Sequence, residues 1–234
     1  MNVAPGTAVL AGVIMAVTAC GATQIRPDLD TLDVASAAAV GVRSEGCSPS
    51  DDIGSGSMID VDLALTAAHV VAGATDIRVV DASGAEHAAD VVVFDPELDI
   101  AVLRTAQPIG TPLTVGAPTK SNDRGKIVTF RGNDEQRSLV VSRVTVIRTV
   151  DIDTTDIYLD RNVRRAGFEV AAEIEAGDSG AVVVLPGGIA AGMIWAKSTQ
   201  RNGRAWAVDL PLELGDADHR STLIDPVAIG DCTN

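Results

Sequence analysis

The stretch EAGDSGA, residues 175–181, places Ser179 between two glycines and directly after an aspartate. This spacing is often found around a nucleophilic serine, although a four-residue motif such as Gly-Asp-Ser-Gly also occurs by chance. A serine hydroxyl is a weak nucleophile and needs a base within hydrogen-bond reach. The base in turn needs an acceptor that fixes its tautomer. A nucleophilic role for Ser179 therefore predicts a histidine and an acidic partner elsewhere in the chain.

The chain has only three histidines, which narrows the choice of base. His69 lies in LTAAHVV, residues 65–71, directly after a strand-like run. His87 lies in the polar stretch GAEHAAD, and His219 lies in the charged stretch DADHR. We therefore predict that His69 is the base.

Asp99 is the candidate acid, because it opens the apolar run DIAVL, residues 99–103. An aspartate at the start of a buried strand is costly unless another group pairs with it. His69, Asp99 and Ser179 supply base, acid and nucleophile in that order along the chain. A core histidine, a strand-capping aspartate and a surface serine are the alternatives for each motif taken alone.

The body of the chain consists of short Val- and Ile-rich runs between turn signals, which favours an all-β fold. The runs cover residues 77–80, 90–94, 100–103, 126–130, 139–147 and 181–185. Strands at this spacing indicate barrels or a sandwich. A Pro-, Gly-, Ser- and Asn-rich passage, residues 107–125, divides the body into two similar halves. We predict two β-barrels joined by this linker, with at most a short C-terminal helix within residues 210–224.

TAAHVV, DIAVL and GDSG together resemble the motifs of the chymotrypsin-fold, trypsin-like serine proteases of bacteria, including the Deg/HtrA branch. GSGSMID, residues 54–60, is similar to the glycine-rich first strand of that branch. DIY, EAGDSG and a cysteine near the C-terminus are similar to the actinobacterial acid-resistance periplasmic proteases. The resemblance covers roughly residues 47–234. It implies two six-stranded antiparallel barrels, with the catalytic cleft between them.

The resemblance also implies a role for each residue of the motifs. Ser179 attacks the scissile carbonyl, His69 takes and later returns the proton, and Asp99 orients His69. The N–H groups of Gly177 and Ser179 form the oxyanion hole. This chemistry is the hydrolysis of protein or peptide substrates by an endopeptidase, and it uses no cofactor and no metal.

Two positions of the nucleophile motif raise questions within this resemblance. The family usually has glycine where this chain has Ala181, and we expect this change to tune activity without abolishing it. In many family members the aspartate before the serine pairs with a freed N-terminus. Because the N-terminus of this chain is expected to be lipidated and distant, Asp178 needs another partner, or activation works differently.

Three residues are candidates for the substrate pocket. The position of Glu173 often lines the floor of the primary specificity pocket in this fold, where a buried acid would favour Arg or Lys before the cut. A solvated acidic pair with Glu175 is the alternative. Trp195 and Ala196 lie in the strand expected beside the substrate, and either could restrict the pocket to small residues.

The N-terminus reads as an export signal over residues 1–19. It carries no charged side chain, and its apolar core, residues 8–19, is too short to span a bilayer. The following Cys20 resembles the lipidated cysteine of bacterial lipoproteins, whereas a plain cleaved secretory signal is the alternative. We predict an exported, lipid-anchored protein of the cell envelope or periplasm, with a tether over residues 20–45.

The three cysteines fit an oxidising compartment if one of them carries lipid. Lipidation of Cys20 would leave Cys47 and Cys232 as a disulfide pair, while two unrelated thiols are the alternative. The predicted domains are an N-terminal barrel over residues 46–115 and a C-terminal barrel over residues 116–234.

The net charge of −14, without any basic cluster, argues against a nucleic-acid surface. Contact with a membrane is expected only through Cys20. An α/β-hydrolase would need a helix after Ser179, but AVVVLPGGIAAGMIW reads as two strands around a turn. A protease fold that serves as a catalytically silent binding module stays open, because fold alone does not establish activity.

Overall fold

The structure is a computed structural model that describes residues 1, 31–47, 52–116, 119–133 and 136–233. Cys20 and almost the whole predicted export signal lie outside the described residues. Within these ranges the chain is mostly β-strand, with three short α-helices and one 3₁₀ helix. No helix of the described residues is long and apolar enough to cross a membrane.

The first half of the chain forms a closed antiparallel barrel of six strands, in the order β1-β2-β3-β6-β5-β4. Its interior is filled by small and branched aliphatic side chains such as Val42, Leu65 and Leu103, which are completely buried. The strands are β1 (Ala39–Glu45), β2 (Asp52–Met58), β3 (Leu63–Thr66), β4 (Asp76–Val80), β5 (Glu86–Asp95) and β6 (Ile100–Thr105).

The second half forms a sheet of seven strands, in the order β11-β8-β9-β10-β13-β12-β7. An additional pairing between β11 and β12 joins six of these strands into a ring, and β7 adds to β12 in parallel. The prediction of an all-β fold with two barrels is confirmed, with β7 as an extra strand. The strands are β7 (Thr114–Val115), β8 (Arg124–Asn133), β9 (Gln136–Thr155), β10 (Asn162–Ala171), β11 (Val182–Leu185), β12 (Ile189–Lys197) and β13 (Arg204–Asp209).

The predicted tether over residues 20–45 needs a correction, because residues 31–45 are part of the folded domain. Helix α1 (Thr31–Ala38) leads directly into β1, and β1 pairs with both β2 and β4 to close the first barrel. Val40 and Val42 are 2% and 0% exposed. Residues 31–45 mix alanine and serine with charged side chains and therefore looked polar, yet the barrel cannot close without them.

The C-terminal segment folds back onto the first barrel. A 3₁₀ helix (Leu212–Gly215) and α3 (Ala217–Ser221) follow β13, which confirms the prediction of a short C-terminal helix. The tail beyond them lies along β5, where the Val227 N–H donates to Val91 O at 2.9 Å. Cys47 and Cys232, 185 residues apart in sequence, form the predicted disulfide and fix the tail to the end of β1.

Candidate active site

His69 lies on the one-turn helix α2 (Ala68–Val71), which follows β3 directly. The helix is attached to the chain that leads into β6, since the Ala68 N–H donates to Asp99 O at 3.2 Å. The His69 backbone N–H donates to Asp99 Oδ1 at 2.9 Å. Its ring Nδ1 lies 2.8 Å from Asp99 Oδ2 and 3.0 Å from Oδ1. Because a carboxylate only accepts, Nδ1 carries the hydrogen and Nε2 keeps a lone pair.

Asp99 is held in this position by an unusual backbone. It is 3% exposed, and its φ of 61° lies in the left-handed region that only a few residue types tolerate. The turn before it is fixed by Asp95, whose side chain accepts from the N–H groups of Glu97 and Leu98. The expectation that a buried Asp99 requires a partner agrees with its three contacts to His69.

The environment raises the pKa of His69 above its ordinary value. Burial is the largest influence and lowers the pKa, but the hydrogen bond to Asp99 and the charge of Asp99 raise it. Asp52 adds to the rise, and Arg165 opposes it. The imidazolium that forms when His69 accepts a proton is therefore stabilised at this site.

The loop that carries Ser179 connects β10 to β11 and packs against the first barrel. Ser179 O accepts a hydrogen bond from the Ser55 N–H of β2 at 2.8 Å. Gly180 has φ of 89°, and a Cβ there would lie 2.1 Å from Ser55 O and 2.9 Å from the Ala67 nitrogen. Glycine is thus required where this loop touches the residues that lead into the His69 helix. The loop of Ser179 is in this way held against the barrel that carries His69 and Asp99.

The backbone around Ser179 offers two hydrogen-bond donors that the fold does not use. Gly177 has φ of 92°, a conformation that favours glycine. No described residue accepts a hydrogen bond from the N–H of Gly177 or of Ser179. Ser179 Oγ likewise makes no hydrogen bond among the described residues. In unliganded enzymes the contact between nucleophile and base often closes only when substrate binds.

Ser55 of β2 fixes the peptide between these two donors. Its hydroxyl donates to Gly177 O at 2.8 Å and accepts from the Phe130 N–H of β8 at 3.2 Å. Its own carbonyl accepts from Thr66 Oγ1 at 2.9 Å. Ser55 is completely buried, so each of these bonds replaces one that water would otherwise supply. The loop is therefore connected to strands of both barrels.

Asp178 has a partner other than the N-terminus. Its carboxylate is 0% exposed and accepts from Arg131 Nε at 2.9 Å and Nη2 at 2.5 Å. The Glu175 N–H donates to the same carboxylate at 2.9 Å. Arg131 also donates to Glu173 O at 3.1 Å and to the Glu175 side chain at 3.0 Å. One guanidinium thus holds the nucleophile loop at three residues.

The candidate pocket residues lie on two different segments of the second half of the chain, the loop after β10 and the strand β12. The Glu173 side chain is exposed beside Gly203, which fits the alternative of a solvated acid. Trp195 and Ala196 are half-buried on β12, and Ala196 pairs with Trp206 of β13. Ala181 is completely buried in the core of the second barrel, so its methyl group points away from solvent. Within the described ranges, no three His, Cys, Asp or Glu side chains gather as a metal site.

Sequence reasoning missed three residues of this region: Ser55, Arg131 and Arg165. Ser55 was part of the quoted glycine-rich strand, but nothing in the motif assigned its hydroxyl a role. Arg131 and Arg165 lie in strands that each contain a second arginine, and no local pattern distinguishes the inward-facing one. A cation next to an apolar run is the signal that each of them left in the sequence.

Two proteins that are named as serine proteases are similar in sequence to this chain. Serine protease MT3772 and Serine protease Rv3671c, both of Mycobacterium tuberculosis, are each 30% identical to this chain over 144 residues, which is 61% of it. The match covers 35% of each relative, so the chain spans about a third of their length.

Solved structures show the same fold. The active form of the Rv3671c protease from M. tuberculosis superposes with a TM-score of 0.77 at 23% identity, over 88% of this chain and 89% of that one. The HtrA-type protease AlgW with a tripeptide superposes with a TM-score of 0.63 at 23% identity, over 76% of this chain and 58% of that one. Residues 54–193, more than half of the chain, match the family described as Trypsin-like peptidase domain. With His69, Asp99 and the Ser179 loop all inside this range, the chain belongs to the trypsin-like peptidase family.

Proposed function

We propose that this protein is a serine endopeptidase in which Ser179, His69 and Asp99 act as nucleophile, base and orienting acid. The observation that carries the proposal is the bonded pair of His69 and Asp99 in the barrel against which the Ser179 loop packs. In the neutral ring, a hydrogen on Nδ1 that is donated to Asp99 leaves Nε2 able to accept a proton. Protein or peptide chains are the proposed substrates, as in the AlgW structure that holds a tripeptide.

The reaction proceeds in two halves. Ser179 Oγ attacks the scissile carbonyl carbon while its proton passes to His69 Nε2, and the carbonyl oxygen becomes an oxyanion. The N–H groups of Gly177 and Ser179 donate to that oxyanion. The C–N bond then breaks, and His69 returns the proton to the leaving amine, so an acyl ester remains on Ser179. Water, deprotonated by His69, attacks the ester carbon, and the bond from that carbon to Ser179 Oγ breaks. His69 returns the proton to Oγ, and the carboxylic acid product leaves the free serine.

Arg131 provides the support that a freed N-terminus gives in other family members. Its guanidinium neutralises the buried Asp178 charge and binds the loop at Glu173 and Glu175. The cation belongs to β8 and is present before any cleavage of the chain. We infer that the oxyanion hole forms without proteolytic activation.

The cleft wall is formed by Trp195 and Ala196 in this proposal, and small side chains before the cut would fit beside them. Glu173 is too exposed to act as a buried acid that selects Arg or Lys. We further propose export to the cell envelope with lipidation at Cys20. The disulfide between Cys47 and Cys232 supports an oxidising compartment.

Labelling with a fluorophosphonate probe tests the proposal. The folded protein should react once per chain, and Ser179→Ala and His69→Ala should each abolish the reaction. Ser83→Ala is a matched control, because Ser83 lies in the exposed turn between β4 and β5. No reaction of the folded wild-type protein would favour the catalytically silent binding module.

A further inference from the structure

Arg165 of β10 is a buried cation that none of the proposed catalytic steps uses. It is 2% exposed, and its neighbour Arg164 lies on the opposite, solvent-facing side of the strand. A buried charge is costly unless hydrogen bonds or opposite charges compensate it. Because a guanidinium stays protonated in proteins, Arg165 cannot escape this cost by losing its proton.

The compensation for Arg165 comes from three different segments of the chain. Nε donates to Glu97 O at 2.7 Å, in the turn that ends at Asp99. Nη2 donates to Thr155 O at the end of β9, at 3.2 Å. The guanidinium carbon lies 4.5 Å from the ring centroid of Trp195, which is a favourable cation–π distance. One side chain therefore connects the turn before Asp99 to Trp195, which is the proposed wall of the cleft.

The same turn is held by the hairpin that carries Arg165. The Ile157 N–H donates to Pro96 O at 3.1 Å, and Arg161 pairs with Glu97 at 2.9 Å. Arg161 is 63% exposed, so its ion pair contributes little. The bond from Arg165 is shielded from water, and it is therefore the stronger restraint on the position of Glu97.

We propose that Arg165 is a positioning residue that couples Asp99 and the cleft wall at Trp195, and so aligns the base with the bound substrate. The inference rests on the proposed endopeptidase function. Loss of the guanidinium frees the Glu97 carbonyl and the Trp195 ring at once. A shift of the order of 1 Å in a positioned catalytic group can reduce the rate about a hundredfold.

The charge of Arg165 adds a signature that a merely structural residue would not give. Three charged groups act on His69: Asp99 from the turn before β6, Asp52 from β2, and Arg165 from β10. Arg165 itself is faced by Asp95, Asp99 and Asp156. Arg165 lowers the pKa of His69, whereas the two aspartates raise it. Removal of Arg165 should therefore raise the pKa of His69.

The test compares Arg165→Met and Arg165→Lys with Arg164→Met as the matched control. Arg164 is the adjacent residue, and its exposed pair with Asp153 lies away from the cleft. Activity is measured on a peptide substrate, with active sites counted by fluorophosphonate labelling. For Arg165→Met we expect kcat to fall about ten- to a hundredfold, KM to rise, and the acid limb of kcat/KM to move to higher pH.

Arg165→Lys separates the effect of the charge from the effect of the hydrogen-bond geometry. It keeps the charge but cannot donate in two fixed directions. We expect the acid limb to stay near that of the wild type, while kcat still falls. If Arg165→Met does not fold, Arg165→Lys alone tests the positioning role of Arg165. A wild-type kcat of Arg165→Lys would overturn the proposal. An acid limb and kcat of Arg165→Met equal to those of Arg164→Met would overturn it as well.

A readout independent of turnover separates this proposal from the proposed function. The His69 ring can be titrated by NMR in the Ser179→Ala protein, with and without Arg165→Met. We expect a higher pKa of His69 in the double variant, and an unchanged pKa would refute the coupling. A wild-type protein without turnover would contradict the endopeptidase function, whereas the titration would still decide about Arg165.

Discussion

Replacing Arg131 by methionine removes the cation that neutralises Asp178. Asp178 is completely buried and accepts from Arg131 Nε, from Arg131 Nη2 and from the Glu175 N–H. The variant leaves only the last of these donors on a buried carboxylate. Breaking a buried ion pair from one side typically costs about 3–5 kcal/mol, because the remaining charge is uncompensated. The exposed contact to the Glu175 side chain adds little to this cost.

We expect Arg131→Met to lower both the stability of the protein and the reactivity of Ser179. For a domain of this size, such a loss lowers Tm by roughly 6–20 °C. At a temperature where the variant is folded, fluorophosphonate labelling should also slow, because Asp178 lies between Gly177 and Ser179, the two proposed oxyanion-hole donors. Loss of one such donor slows catalysis about 10²- to 10³-fold. Urea unfolding and the labelling rate of the folded fraction measure the two effects separately.

Arg148→Met is the matched control, because Arg148 also pairs with a buried acid, Glu169 of β10, at 2.8 Å. Glu169 keeps contacts to Arg201 and Arg204, so this variant should lose less stability and should label at the wild-type rate. A second Asp178→Asn substitution should restore part of the stability lost in Arg131→Met. A folded Arg131→Met protein that labels as fast as the wild type would refute the role of Arg131 in the nucleophile loop.

Three further predictions concern the base, the disulfide and the altered motif. The labelling rate should rise with pH as the His69 base loses its proton, with a midpoint above the ordinary pKa of 6.5, and a flat profile would contradict this. Cys47→Ser/Cys232→Ser should lower the free energy of unfolding in urea by up to about 5 kcal/mol, since the disulfide closes a long loop, and an unchanged value would count against it. Ala181→Gly should cost about 1–2 kcal/mol of stability by emptying a core position, with little effect on labelling; faster labelling would mean that the methyl group crowds the substrate.

The parts that the sequence could predict are those whose signal is local. The proposed base, acid and nucleophile each lie in a short motif next to an apolar run, and the alternation of strands and turns indicates the barrels. The partners of the loop could not be found in this way. Arg131 is 47 residues from Asp178, and only the closure of the second barrel brings β8 next to the loop. Arg165 lies 68 residues from the Glu97 carbonyl that it binds, and it is inward-facing only because of the register of β10.

The predicted tether failed for a related physical reason. Residues 31–45 contain four alanines, two serines and one glycine, and small residues of this kind carry little strand signal. Their burial depends on pairing with two strands at once, of which β4 begins at Asp76. Because barrel closure depends on all six strands, the residues around β1 alone do not predict that β1 pairs with β4.

The contacts around Ser179 explain why two barrels are needed for one site. Ser55 of the first barrel binds the carbonyl groups of Ser179 and Gly177, while Arg131 of the second barrel holds Asp178 between them. Gly180 then presses the loop against the residues that lead to His69. Neither barrel alone can fix both the nucleophile loop and the base. The proposed reactive geometry therefore depends on the docking between the barrels, and changes at that interface should affect reactivity before they unfold either barrel.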